Sequence, residues 1–208
     1  MKNFQEAMQF RHACKNFIEN KAIPNDLFQQ VLEACRLSPS SFGMEHWRLL
    51  QIKNPELRQA LRPACWNQPQ ITEASELLVI LAKTQDVEPN TDYVEHAFKR
   101  RNLDQAGTEA YLKLYNDYFK GQIKPHLGST YAWSSKQCYM ALANMMTCAA
   151  SLEIDSCPIE GFDKEQVESV LKIDTKIEEV AVVVAFGYRI NPQSIAYRLD
   201  LEQILEIR

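Results

Sequence analysis

Between Leu37 and Trp47 the chain reads Leu-Ser-Pro-Ser-Ser-Phe-Gly-Met-Glu-His-Trp. The hydroxyls of Ser40 and Ser41, free backbone N–H groups and Gly43 fall together there, just after Pro39 ends a helix by removing an N–H and pushing its neighbour out of α conformation. Such a loop can hydrogen-bond a flat polar ligand, and the same pattern also serves simply to cap helices. Three further clusters hold reactive side-chain types: Arg11-His12-Ala13-Cys14-Lys15, then Cys157-Pro158-Ile159-Glu160-Gly161-Phe162-Asp163, then Gly187-Tyr188-Arg189 with Arg198 beyond it.

Several chemistries are disfavoured by spacing and charge. The six cysteines (14, 35, 65, 138, 148, 157) show no C-x-x-C pair, and His12, His46, His96 and His126 form no H-E-x-x-H pattern. That argues against a zinc site and for reduced thiols, as in a cytoplasmic protein. A nucleophilic Cys–His pair stays open, with buried, unreactive thiols as the plainer alternative. A net charge of −4 argues against a nucleic-acid surface. The amino terminus, Met1-Lys2-Asn3-Phe4-Gln5-Glu6, has no apolar signal core.

These clusters must be positioned by surrounding elements. Phe4, Ala7, Met8 and Phe10 predict a helix over 3–14, and Leu27, Phe28, Val31, Leu32 and Cys35 lie on one face of a second helix opened by Pro24-Asn25-Asp26. A strand is expected over 47–53, a short helix over 56–62, and buried strands over 76–83 and 179–186, both near-continuous apolar runs. Ile154 to Pro158 reads as extended, and Asp163 with Gln166 as the cap of a helix running to Lys172. The run 132–152 is apolar almost all round. Its polar residues, among them Lys136 and Asn144, exclude a membrane span, leaving a central buried helix or an oligomer interface. Residues 91–120, rich in charge and aromatics, read as a helical excursion broken near Gly107: a solvated surface helix, or a lid or dimer arm that places aromatics over a pocket. With 208 residues, a single domain over 1–208 is expected, with a polar arm over 190–208.

In their order and separation the four clusters resemble the nitroreductase family, FMN-dependent NAD(P)H oxidoreductases. The likeness spans nearly the whole chain and is closest from Trp133 to Asp163. It implies an α+β fold, a central, mostly antiparallel sheet flanked by helices, in an intertwined homodimer that shares its flavin site across the interface. By the same resemblance the cofactors are FMN and NAD(P)H, and the partner is a small-molecule electron acceptor, with no nucleic acid, membrane or metal. The implied mechanism is ping-pong: hydride passes from nicotinamide to flavin, and then to a nitroaromatic, quinone or free flavin.

The family pattern carries over residue by residue. Arg11 and Arg198 match the phosphate-holding cations; a planar guanidinium suits a doubly charged phosphate. His12 and Ala13 lie in the same cofactor-binding stretch. Lys15 and Asn67 match residues at the flavin pyrimidine edge, where negative charge builds on reduction. Pro39, Ser40 and Ser41 match a loop packed on the flavin from the partner subunit. Pro158, Ile159, Glu160 and Gly161 match residues beside flavin N5, where a glycine permits close backbone approach. Glu160 and Lys15 are the residues assigned a catalytic part, Glu160 either as general acid or through backbone positioning.

The chain also departs from the pattern. Ala13 stands where serine is common, Gly43, Glu45 and His46 replace Asn, Gln and Pro, Ala196 replaces a second phosphate lysine, and Gln70 lacks a charge. Weaker FMN retention follows. His46 is either a group titrating near neutral pH or a structural ring. Two other functions share the fold: a reductive dehalogenase or flavin-fragmenting enzyme, and a non-catalytic flavin-binding module.

Overall fold

The computed structural model describes residues 1–208. Helix α1 (Phe4–Phe10) and α2 (Asn25–Arg36) precede a single 3₁₀ turn (Ser41–Gly43) and strand β1 (Trp47–Gln51). Then come α3 (Pro55–Ala64), α4 (Gln70–Glu73), β2 (Glu76–Lys83), α5 (Asp92–Lys99) and α6 (Gln105–Tyr118). A π-helical turn (Phe119–Ile123) leads to α7 (Lys124–Leu127), the long α8 (Thr130–Ser151), β3 (Asp155–Ile159), α9 (Lys164–Leu171), β4 (Glu178–Gly187) and α10 (Leu201–Ile204).

The four strands form one antiparallel sheet in the order β1-β2-β4-β3. Antiparallel sheets often leave one face to water; this one is covered on both, which explains the unbroken apolar runs of β2 and β4. Leu78, Ile80 and Ala82 join a core with α2 and α8, while Leu77, Val79 and Leu81 join a second core with α3, α4 and α9. The register shifts between Ile80 and Leu81, which face Val182 and Val180. The intervening Ala181 is a bulge, so Ala181 and Val182 both enter the α2–α8 core. A third, smaller core, including Phe98, Tyr115, Phe119 and Trp133, binds the 91–120 excursion to the body. The fold is thus α+β, as expected.

Three expectations are corrected. The first helix ends at Phe10, not at residue 14, because the chain beyond it pairs elsewhere: Ala13 bridges Ser156 and Phe17 bridges Arg189. Of its apolar members only Ala7 is buried; Phe4 is 71% exposed. The excursion breaks at 100–104 rather than at Gly107, whose N–H is capped by Asp104 at 2.8 Å in the first turn of α6. The extended segment near Ile154 lies one residue later, at Asp155–Ile159. The Asp163 cap on the Gln166 N–H is present at 3.0 Å. No helix is long and apolar enough to cross a membrane.

Candidate functional site

The site builds outward from β3. The segment after α1 runs beside it: Ala13 makes a parallel bridge to Ser156, and the Cys14 N–H donates to the Ser156 carbonyl at 3.0 Å. Further on, the Ile18 N–H donates to the Tyr188 carbonyl at 2.8 Å, and Phe17 is fully buried. This pairing fixes where His12 and Lys15 stand. A polar cleft of about 140 Å³ opens between the segment and the start of the C-terminal arm, bordered by His12, Ala13, Lys15, Asn16, Arg189 and Ser194.

Asp155, buried at the head of β3, organises one wall. Its Oδ2 accepts the Arg189 N–H at 2.9 Å, and its Oδ1 lies 2.7 Å from Arg189 Nη2 and 3.8 Å from His12 Nδ1. The Nη2–Oδ1 approach is close but off the hydrogen-bond directions, so it acts as a charge contact. The Arg189 guanidinium also stacks on Phe10 at 4.2 Å. Asp155 has no sequence signal beyond its type; its partners are far away in the chain.

Arg11 caps the end of α1, and Lys15 projects from the extended segment; neither has an acidic partner within 4 Å. The Lys15 ammonium instead donates to Cys157 Sγ at 3.6 Å. Pro158 and Ile159 continue β3 opposite Val184 and Val183. At its exit the Glu160 carboxylate accepts a hydrogen bond from the Tyr139 hydroxyl of α8. Burial, and then that carboxylate, push the Tyr139 phenol upward, so it stays a donor. The Gly161 carbonyl accepts from Gln68 Nε2 at 2.7 Å.

Gly161 allows a close approach: a Cβ there would lie 2.7 Å from Trp66 Cε3. Trp66 is 68% exposed, and both it and Asn67 adopt the left-handed region (φ 55° each), a conformation that costs an L residue about 1–2 kcal/mol. The Asn67 carbonyl is held by Arg62 Nε at 3.3 Å.

The structure therefore gathers His12, Ala13, Lys15, Pro158, Ile159, Glu160 and Gly161 around β3, with Asn67 on the neighbouring α3–α4 turn. Two groups of expected residues stand apart within one chain. In the α2–β1 loop, Ser40 Oγ accepts the Glu45 N–H and the Ser41 N–H donates to Gln137 Oε1 of α8, each at 2.9 Å, while Pro39 is exposed. Arg198 lies on the exposed arm and donates to the Tyr197 carbonyl at 2.6 Å. His46 is fully buried, with Nδ1 2.9 Å from Ser134 Oγ and its ring edge-on to Trp133 at 4.5 Å. Burial, with the Lys83 charge nearby, lowers it to about 4, so it is a neutral structural ring at neutral pH. Burial also raises all six thiols, Cys14 to about 11, which keeps them protonated and poor nucleophiles. The arrangement offers an uncompensated lysine, Lys15, in a polar cleft, with Arg11 nearby in sequence at the end of α1, suited to holding an anion and stabilising negative charge that develops next to it.

Comparison with known proteins identifies the family. The model of the nitroreductase family matches residues 8–188. YfkO of Bacillus subtilis, provisionally named an NAD(P)H nitroreductase, is 38% identical over 97% of this chain and 95% of its own. A similarly named Staphylococcus epidermidis protein is 41% identical over 88% and 86%. Among solved structures, a nitroreductase-titled protein of Exiguobacterium sibiricum in complex with FMN superposes with a TM-score of 0.84 at 19% identity, over all of this chain and 98% of its own. An NAD(P)H:FMN oxidoreductase-titled protein of S. epidermidis superposes with a TM-score of 0.85 at 21% identity, over 100% and 97%. On its sequence matches the chain belongs to the nitroreductase family.

Proposed function

We propose that this chain is a homodimeric NAD(P)H-dependent FMN oxidoreductase that reduces nitroaromatics, quinones or flavins by ping-pong exchange at the cleft beside β3. The carrying observation is the pair of cations on the segment that leads into the β3 pairing, Arg11 at the end of α1 and Lys15 against Cys157 of β3, with no acid to neutralise them. A flavin phosphate and a reduced flavin ring are anions of the kind such cations hold, each charge-assisted bond contributing roughly 1.5–3 kcal/mol. Two buried polar atoms nearby, Ser156 Oγ of β3 and Gln70 Oε1 of α4, also lack a protein partner, which fits a site completed by a polar ligand.

In this reading Arg11 and Arg198 hold the phosphate, with His12 and Ala13 lining its approach. Lys15 and Asn67 face the pyrimidine edge. Pro158, Ile159 and Gly161 present backbone to the ring, and Tyr139 fixes the Glu160 side chain. FMN, when bound, supplies two-electron redox chemistry between nicotinamide and acceptor.

The homodimer is supported by apolar surface that one chain leaves uncovered. Phe4 and Met8 of α1, Tyr139 and Met140 of α8, and Leu37 are all exposed, Leu37 at 66%. The arm adds Ile195, Tyr197, Leu199 and Leu201, with Tyr197 at 83%. Monomers rarely leave such patches bare. A second copy docking on α1 and α8 brings in the missing Pro39, Ser40 and Ser41, and an arm reaching across delivers Arg198.

The test is to load the protein with FMN and titrate it anaerobically with NADH and, separately, NADPH, then add a nitroaromatic or quinone. Stoichiometric bleaching followed by recovery of flavin absorbance on adding acceptor is the expected result. Bound flavin that neither nicotinamide bleaches refutes the oxidoreductase reading.

A further inference from the structure

We propose that Gln68, Gln70 and Cys157 form a hydrogen-bond relay that runs from the Gly161 carbonyl to the Lys15 ammonium and fixes where that charge stands in the cleft. The donor directions leave one assignment. Gln68 Nε2 lies 3.1 Å from the Cys65 carbonyl and 2.7 Å from the Gly161 carbonyl, so the amide nitrogen must face both. Its oxygen then faces Gln70, whose Nε2 donates to it at 3.2 Å. The same Gln70 nitrogen reaches Cys157 Sγ at 3.6 Å, and Lys15 Nζ reaches that sulfur, also at 3.6 Å. The thiol proton is left to point at the Pro158 carbonyl, 3.6 Å away. Sulfur thus accepts twice and donates once, and each member has a single orientation.

Three features make the relay more than incidental contact. Gln70 is 1% exposed and Cys157 fully buried, so water does not compete for the sulfur. Burial raises the thiol by more than Lys15 lowers it, so the sulfur keeps the proton that the relay requires. Lys15 itself is exposed and lacks an acidic partner, so without the sulfur its long, flexible side chain has no restraining contact. Cys157 and Gln70 are therefore positioning residues acting through Lys15. The relay also joins the two stretches, around Lys15 and around Gly161, that the proposed function places at different edges of the flavin. Gln70 Oε1 remains its one atom without a donor.

The functional consequence rests on the flavin reading, and the test separates the two. In the FMN-free full chain, acetylation of Lys15 by limiting acetic anhydride is followed by mass spectrometry. Cys157→Ala is expected to raise the Lys15 labelling rate about threefold, the loss of one weak hydrogen bond, while Cys157→Ser, which keeps an acceptor and a donor, stays within about twofold of the parent protein. With FMN loaded, Cys157→Ala is expected to lower the preference for reduced over oxidised flavin about threefold, which is about 15 mV at about 30 mV per decade for two electrons. In a Lys15→Met background the same change should do nothing further. Equal labelling in a Cys157→Ala protein that melts like the parent overturns the relay, as does an undiminished potential shift in the Lys15→Met background. A parent protein that does not bind FMN refutes the flavin reading, and the labelling arm still decides the relay.

Discussion

Gly187 is the position at which a single methyl group should cost most. It closes β4 opposite Asp155, and a Cβ built on it would lie 2.7 Å from Phe17 Cδ1 and 3.3 Å from both Cγ and Cε1. Carbon atoms rest at about 3.5–4.0 Å, so the nearest overlap is roughly 1 Å. Phe17 is fully buried and cannot swing aside; moving it also drags the Phe17–Arg189 bridge and the Ile18–Tyr188 hydrogen bond that set the cleft wall. Overpacking of this kind costs about 1–3 kcal/mol, which in a chain of this size lowers Tm by roughly 2–12 °C. Thermal unfolding of Gly187→Ala, followed by circular dichroism at a fixed protein concentration, measures it. Phe17→Leu makes room, so the double variant should be more stable than the sum of the singles predicts, by about 0.5–3 kcal/mol. A Gly187→Ala protein within about 0.5 kcal/mol of the parent, or strict additivity in the double variant, refutes the steric argument.

Other predictions test the remaining parts. His46 titrates near 6.5 when unfolded and near 4 when folded, so the unfolded chain binds the extra proton between those values. Stability is therefore full above about pH 6.5 and falls as pH drops toward 4, by about 3 kcal/mol at most. Urea unfolding of the parent and of His46→Gln from pH 7 to 4.5 should show the variant's deficit shrinking with acid, and a constant deficit contradicts it. Ala13→Ser should tighten FMN binding about two- to twelvefold, one net hydrogen bond, in a fluorescence titration; an unchanged Kd means that Ala13 does not face the ligand. Removing residues 195–208, which carry Tyr197 and Leu199, should convert a dimer to a monomer by light scattering and weaken FMN binding through loss of Arg198.

How far the sequence alone reaches depends on the range of the interaction that decides each feature. β2 and β4 are legible because both faces are covered and every position from Leu77 to Ala82 and from Val180 to Phe186 is apolar. The bulge at Ala181 is not, since alanine fits either face and only the pairing with β2 reveals it. The end of α1 is misjudged because local periodicity continues past Phe10, whereas the deciding partners, Ser156 and Arg189, lie far along the chain. The same division runs through the site. Arg11, Lys15, Glu160 and Gly161 are visible as types in short clusters. The roles of Gln68, Gln70 and Cys157 are not, because they act through contacts 93, 87 and 142 residues apart. This separation has a chemical consequence. With alanine at 196 and an uncharged glutamine at 70, where the family pattern carries charges, the proposed site depends on fewer cations, so how firmly each is held matters more. A lysine restrained by a buried neutral sulfur keeps its full charge, whereas pairing with a carboxylate would cancel the field it supplies. The site therefore gains from holding Lys15 by a thiol rather than by an acid, and this argument makes Cys157→Asp the most damaging replacement at that position: it should bind the ammonium tightly and yet disfavour reduced flavin more than Cys157→Ala does.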